Sequence, residues 1–127
     1  MINKVTLLGF VGFIEDLKYM KNGLAVLDFQ VATNTTQKKG AQEYKKTTWH
    51  SVILFGKAAE VFFKILKSGN IVYIEGSINY NTYIDKENVK RQNTKIYADI
   101  IKVLFSKDAK DPLAEPKELP TDADLEF

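Results

Sequence analysis

Apolar residues recur at every second position through most of this chain, the period of half-buried β-strands. Residues 3–13 predict a first strand with Gly9 and Gly12 inside it, where glycines mark bulges or sharp bends. Residues 17–20 continue the strand beyond a bend. Asn22-Gly23 predicts a hairpin, because both residues tolerate positive φ. The second strand runs from about Leu24 to Asn34, with Ala25, Leu27, Phe29 and Val31 as its core stripe and Asp28 and Gln30 on the other face. Residues 35–46 are polar and basic with one glycine, and predict a long hairpin loop. The third strand, TTWHSVILFGK at 47–57, is closed by Gly56 and has large apolar groups on both faces. Trp49, Ser51, Ile53 and Phe55 share one face; Thr48, His50, Val52 and Leu54 share the other.

The period then changes. Between residues 57 and 67, Ala58, Val61, Phe62, Ile65 and Leu66 follow helical spacing, which predicts a helix lying as a lid on the core and ended by Ser68-Gly69. Residues 70–84 predict a fourth strand that bends at Gly76 and runs on as a projecting arm, with Tyr80 and Tyr83 on opposite faces. A turn at 85–88 leads into a fifth strand over 90–104, whose core stripe is Ile96, Ala98, Ile100 and Leu104. Five antiparallel strands with one helix between the third and fourth predict an all-β chain, a five-stranded Greek-key barrel of the OB-fold type. This barrel domain occupies residues 1–105. Residues 106–127 hold all three prolines and few large apolar groups, and are expected to form a disordered acidic tail.

Charge changes this picture more than composition does. The net charge of +2 conceals 15 Lys/Arg against 9 Asp/Glu in residues 1–105, and 3 against 7 in residues 106–127. A basic body suits a polyanion. With no cysteine and one histidine, a thiolate or multi-histidine metal site is excluded, and no metal or cofactor is expected. The apolar run after Lys4 resembles a short signal peptide, but Glu15 and Asp16 follow it without a small-residue cleavage site, so a buried strand is expected. No apolar run approaches the roughly 20 residues of a membrane span, so no membrane partner is expected.

Two readings fit Trp49 and Phe55: a strand buried on both sides, or an aromatic face on which nucleic-acid bases stack. Lys38, Lys39, Lys45 and Lys46 on the neighbouring hairpin favour the second, because they suit phosphates. Leu125 and Phe127 end the acidic tail, and an exposed phenylalanine beside a free carboxylate is a capture motif for a protein partner. Against an enzyme stand the scattered acids Asp28, Glu75 and Asp99, the lone His50, and a Gly56-Lys57 pair without the upstream glycine of a phosphate loop. A protein-interaction module of the primosome or scaffold kind, and an RNA-binding barrel, remain as alternatives.

NKVTLLG at 3–9, ATN at 32–34, TTWHSVILFGKAAE at 47–60 and SGNIVYIEG at 68–76 together resemble the bacterial-type single-stranded DNA-binding proteins, in the same order and spacing. The resemblance implies a non-enzymatic, sequence-independent binder of single-stranded DNA in replication, recombination and repair, working in the cytoplasm on the nucleoid. It implies base stacking on Trp49, Phe55 and Tyr83 and a phosphate contact from Lys18; beside these, Tyr80 on the arm, Lys38, Lys39, Lys45 and Lys46 on the hairpin, and Lys67 are expected to contact DNA. It also implies a homotetramer with His50 near a subunit interface. The tip formed by Asp122, Asp124, Leu125, Glu126 and Phe127 would recruit replication and repair proteins. The chain departs from the family at Gln37, where a third stacking tryptophan is usual, at Ser51, where arginine is common, and at Glu126, which replaces a proline.

Overall fold

A computed structural model describes residues 1–105; the tail and its tip, with Asp122, Asp124, Leu125, Glu126 and Phe127, lie outside the described residues. The elements are β1 (Val5–Ile14), β2 (Lys18–Tyr19), β3 (Ala25–Lys39), β4 (Gln42–Phe55), α1 (Lys57–Ile65), β5 (Ile71–Ile84) and β6 (Lys90–Phe105). The five long strands lie in the order β1-β5-β6-β4-β3, and β1 pairs with β3 to close the barrel. The two-residue β2 is an added edge on β3.

One pairing differs from the all-antiparallel expectation. β4 and β6 run parallel, through Val52↔Ile96 and Ile53↔Tyr97. A closed ring with an odd number of strands cannot alternate direction all the way round, so one neighbouring pair must be parallel.

The core stripe of β3 is buried as expected, with Leu27 and Val31 at 0% exposure and Phe29 at 2%. Val52 and Leu54 face it from β4, and Val72 and Ile74 from β5. Two stripes are shifted from their predicted residues. On β6, Ile96 is buried and Ala98 packs on the core, but Ile100 and Leu104 are exposed, and Ile101 and Val103 take their place inside. The cause is a bulge. Gly76 pairs with Ala98 while Glu75 pairs with Ile100, so Asp99 is an extra residue and the alternation changes phase. On α1 the buried contacts come from Ala59, Phe62 and Leu66, whereas Ala58, Val61 and Ile65 are exposed. A nine-residue helix across one barrel end needs only a narrow apolar face.

Residues 35–46 are not a loop. β3 and β4 stay paired as far as Lys39↔Gln42, leaving a tight tip at Gly40-Ala41. β-Branched Thr33, Thr35, Thr36, Thr47 and Thr48 suit a ladder, and the Thr47 hydroxyl donates across it to Asn34 Oδ1 at 2.7 Å.

The three predicted bends divide. Register shifts lie around Gly12, between Val11 and Ile14, and at Gly76. Gly9 sits in an unbroken ladder opposite Val72, where β1 passes so close to β3 that a Cβ would fall 2.3 Å from the Ala32 carbonyl oxygen. Gly9→Ala is therefore expected to force the barrel seam apart and to lower stability by about 1–3 kcal/mol, read as a reduced midpoint in urea unfolding.

Candidate nucleic-acid interface

The alternation that sends Val52 and Leu54 into the core turns Trp49, Ser51 and Phe55 away from it on β4, while Ile53 on the same row is covered, at 7% exposure. The register adds Ala32, Gln30, Asp28 and Val26 from β3 on the same face. Across the parallel seam, β6 adds Lys95 and Tyr97 beside Ser51 and Ile53. From Trp49 to Phe55 this face extends ~20 Å.

Trp49 is 57% exposed, so β4 is open on this face at Trp49, whereas Val52, Ile53 and Leu54 further along are all buried, and there the strand is covered on both sides. The Trp49 indole lies over Gly12: a Cβ there would fall 2.4 Å from indole Cζ3. Gly12 is held in turn by the segment after α1. The Ser68 hydroxyl donates to the Gly12 carbonyl at 2.6 Å, and Gly69 and Asn70 exchange backbone bonds with Val11. Lys67 immediately precedes this turn, and its backbone N–H donates to Asn70 Oδ1 at 2.8 Å. At the other end, Phe55 is half-buried and meets Tyr97 edge-on, with ring centroids 5.2 Å apart at 61°. Lys18 pairs with Val26, which pairs with Phe55, so Lys18 borders the Phe55 end.

The two ribbons that project from the barrel divide their candidate residues between faces. Lys38 and Lys45 continue the Trp49 face, whereas Lys39 and Lys46 share the opposite face with His50. Lys38 also pairs with Glu43 at 3.7 Å. On the β5–β6 ribbon, Tyr83 lies opposite Arg91 on the same face as Lys95 and Tyr97. Tyr80 lies opposite Thr94 on the other face and is not brought together with Tyr83. Arg91 Nε donates to Asp85 at 2.8 Å. That bond and those from the Val89 and Glu87 N–H groups hold the Asp85 carboxyl below its ordinary range. His50 is half-buried, with Nε2 at 2.8 Å from the Thr33 hydroxyl, and burial holds its pKa below the ordinary value.

Three residues of this face escaped the sequence reading: Phe13, which is 67% exposed, Tyr97 and Lys95. Tyr97 had a signal, since inward Ile96 and Ala98 require it to point outward. Phe13 had none, because the register shift between Val11 and Ile14 decides its direction. Among the described residues, no three His, Cys, Asp or Glu side chains group closely enough to hold a metal ion, and no helix is long and apolar enough to cross a membrane.

The sequence model of the Single-strand binding protein family matches residues 2–104. The chain belongs to this family. It is 34% identical to "Single-stranded DNA-binding protein 1" of Xylella fastidiosa over 97% of its own length and 94% of that protein. It is 38% identical to a single-stranded DNA-binding protein of Neisseria meningitidis, over 81% of its own length and 60% of the longer relative. Among solved structures, the Plasmodium falciparum SSB complex with ssDNA superposes with a TM-score of 0.75 at 26% identity, covering 82% of this chain and 96% of that one. A deletion mutant of the Thermus aquaticus single-stranded DNA binding protein gives 0.72 at 28% identity, covering 84% and 52%. These neighbours share the five-stranded barrel and its helix.

Gly12→Ala is expected to lift the indole off β1. Trp49 emission should then shift to longer wavelength, with stability lowered by about 1 kcal/mol. Unchanged emission would show that the indole does not depend on that seat.

Proposed function

We propose that this protein binds single-stranded DNA without strong sequence preference, along the outward face from Trp49 to Phe55. The observation that carries the reading is the half-exposed indole seated over Gly12, in line with Phe55 and Tyr97 and flanked by lysines. Bases stack on Trp49 and Phe55, and on Tyr83 where the β5–β6 ribbon extends the face. Lys18, Lys38, Lys45 and Lys67 border it and meet phosphates, with Lys39 and Lys46 engaging strand that wraps over the β3–β4 ribbon. Tyr80 serves the opposite side of its ribbon. Stacking contributes about 1–3 kcal/mol per base and requires an exposed base face, which duplex DNA withholds. Lysine–phosphate contacts release counterions, so affinity falls with salt. The protein acts by binding, with no catalytic step.

Residues 1–105 form the strand-binding domain, and the acidic segment 106–127, through Asp122, Asp124, Leu125, Glu126 and Phe127, recruits replication, recombination and repair proteins. The protein works in the cytoplasm, on DNA of the nucleoid. It assembles as a homotetramer, with His50 near one interface. The outward face of β1, β5 and β6 supports assembly, because it exposes Leu8, Ile100 and Leu104 beside the Lys4–Glu75 ion pair and the Tyr73–Glu75 hydrogen bond.

Titration with oligo-dT should quench the fluorescence of Trp49, the single tryptophan, with weaker binding at higher salt and little effect of duplex DNA. Trp49→Ala, followed by gel shift, should weaken binding roughly five- to a hundredfold. No binding of either strand would sink the reading.

Sedimentation equilibrium should give the mass of four chains for the native protein and a smaller assembly for Leu8→Arg. A monomeric native protein would exclude the tetramer.

A further inference from the structure

Midway between Trp49 and Phe55, the outward face opens into a cleft of about 220 Å³ lined by Phe13, Glu15, Asp28, Gln30, Ser51 and Lys95. Ser51 lies between Trp49 and Ile53 on the outward row, so a strand laid from one aromatic end to the other crosses the mouth of this cleft. Its size suits one ring system, since an apolar cavity of about 150 Å³ already takes benzene. Its charge selects which part of a nucleotide enters. Two carboxylates face one ammonium, so the cleft disfavours a phosphate and accepts a base.

We propose that this cleft receives one base of the bound strand and takes guanine in preference to the other three. The proposal rests on the single-strand reading above. Lys95 Nζ donates to Asp28 Oδ1 at 2.6 Å, and the two side chains are only 25% and 18% exposed. That bond uses one of three ammonium donors and one of two carboxylate oxygens. What remains, largely withdrawn from water, is a lysine donor beside Asp28 Oδ2 and the second lone pair of Oδ1, which together can accept two parallel N–H groups. Guanine matches both. Its O6 and N7 accept from lysine, and its N1–H and N2–H₂ donate side by side to a carboxylate. Adenine and cytosine each offer one amino group rather than two parallel donors. Thymine places two carbonyl oxygens around its single N–H, against the carboxylates of Asp28 and Glu15. Phe13, at 67% exposure, is free to pack against the ring from the β1 side.

The test is competition binding by the full chain at fixed salt, using oligo-dT of one length and versions in which a single central thymine is replaced by guanine, adenine or inosine. One substitution suffices, because the strand can slide until that base meets the cleft. Guanine should tighten binding roughly tenfold over thymine and over adenine. Inosine, which lacks the N2 amino group, should lose most of that gain. In Asp28→Asn the guanine-to-thymine ratio should fall toward one, whatever its overall affinity. Equal binding of guanine and adenine would assign the preference to purine stacking and overturn the proposal. A ratio unchanged in Asp28→Asn, or no preference at all, would also overturn it while leaving the single-strand reading intact. Failure to bind oligo-dT itself would remove both.

Discussion

A ring of five strands must contain one parallel pair, and here that pair is β4–β6. Parallel pairing is slightly weaker per residue, and this seam has only two paired positions, Val52↔Ile96 and Ile53↔Tyr97. Side chains outside the ladder reinforce it. Phe55 meets Tyr97 edge-on across it, and Lys95 reaches from β6 past β4 to Asp28 on β3. Each of these contacts lies on the outward face. The topology thus places an aromatic pair and a shielded ion pair where the barrel presents its candidate binding surface.

The other end of that surface depends on how β1 approaches its neighbours. Gly9 lets β1 pass against the Ala32 carbonyl, and three residues later Gly12 leaves room for the Trp49 ring. The turn that leads from α1 into β5 fixes this stretch of β1. It supplies the Ser68 bond to Gly12, and Asn70, only 1% exposed, orders the turn through its side-chain oxygen. The helix therefore contributes to the site indirectly. Its narrow buried face anchors a turn, the turn holds a glycine backbone, and the glycine seats the indole.

The long ribbons extend this face but divide it. Alternation along a ladder sends neighbouring residues to opposite sides, so adjacent Lys38 and Lys39 cannot both face the same strand of nucleic acid unless it wraps around the ribbon. The same rule separates Tyr80 from Tyr83. A loop would have left such pairs free to converge, but the continuous β3–β4 pairing does not.

The sequence by itself determined a good deal. Alternation identified every long strand and the inward stripe of β3. The change to helical spacing located α1, and the order of elements identified the barrel. Parity within β4 placed Trp49 and Phe55 together. These features depend on local period, which neighbouring residues carry in full. Tertiary structure decided what period cannot carry. The bulge at Gly76 changed the phase of β6, turning Ile100 and Leu104 outward and Ile101 and Val103 inward. Burial against the barrel end selected Ala59, Phe62 and Leu66 rather than the wider apolar stripe of the helix. The register shift after Val11 determined where Phe13 points, and ring closure brought Lys95 to Asp28, 67 residues away in the chain. One inserted residue or one strand pairing reverses such choices without altering the local pattern, which is why only the closed barrel reveals them.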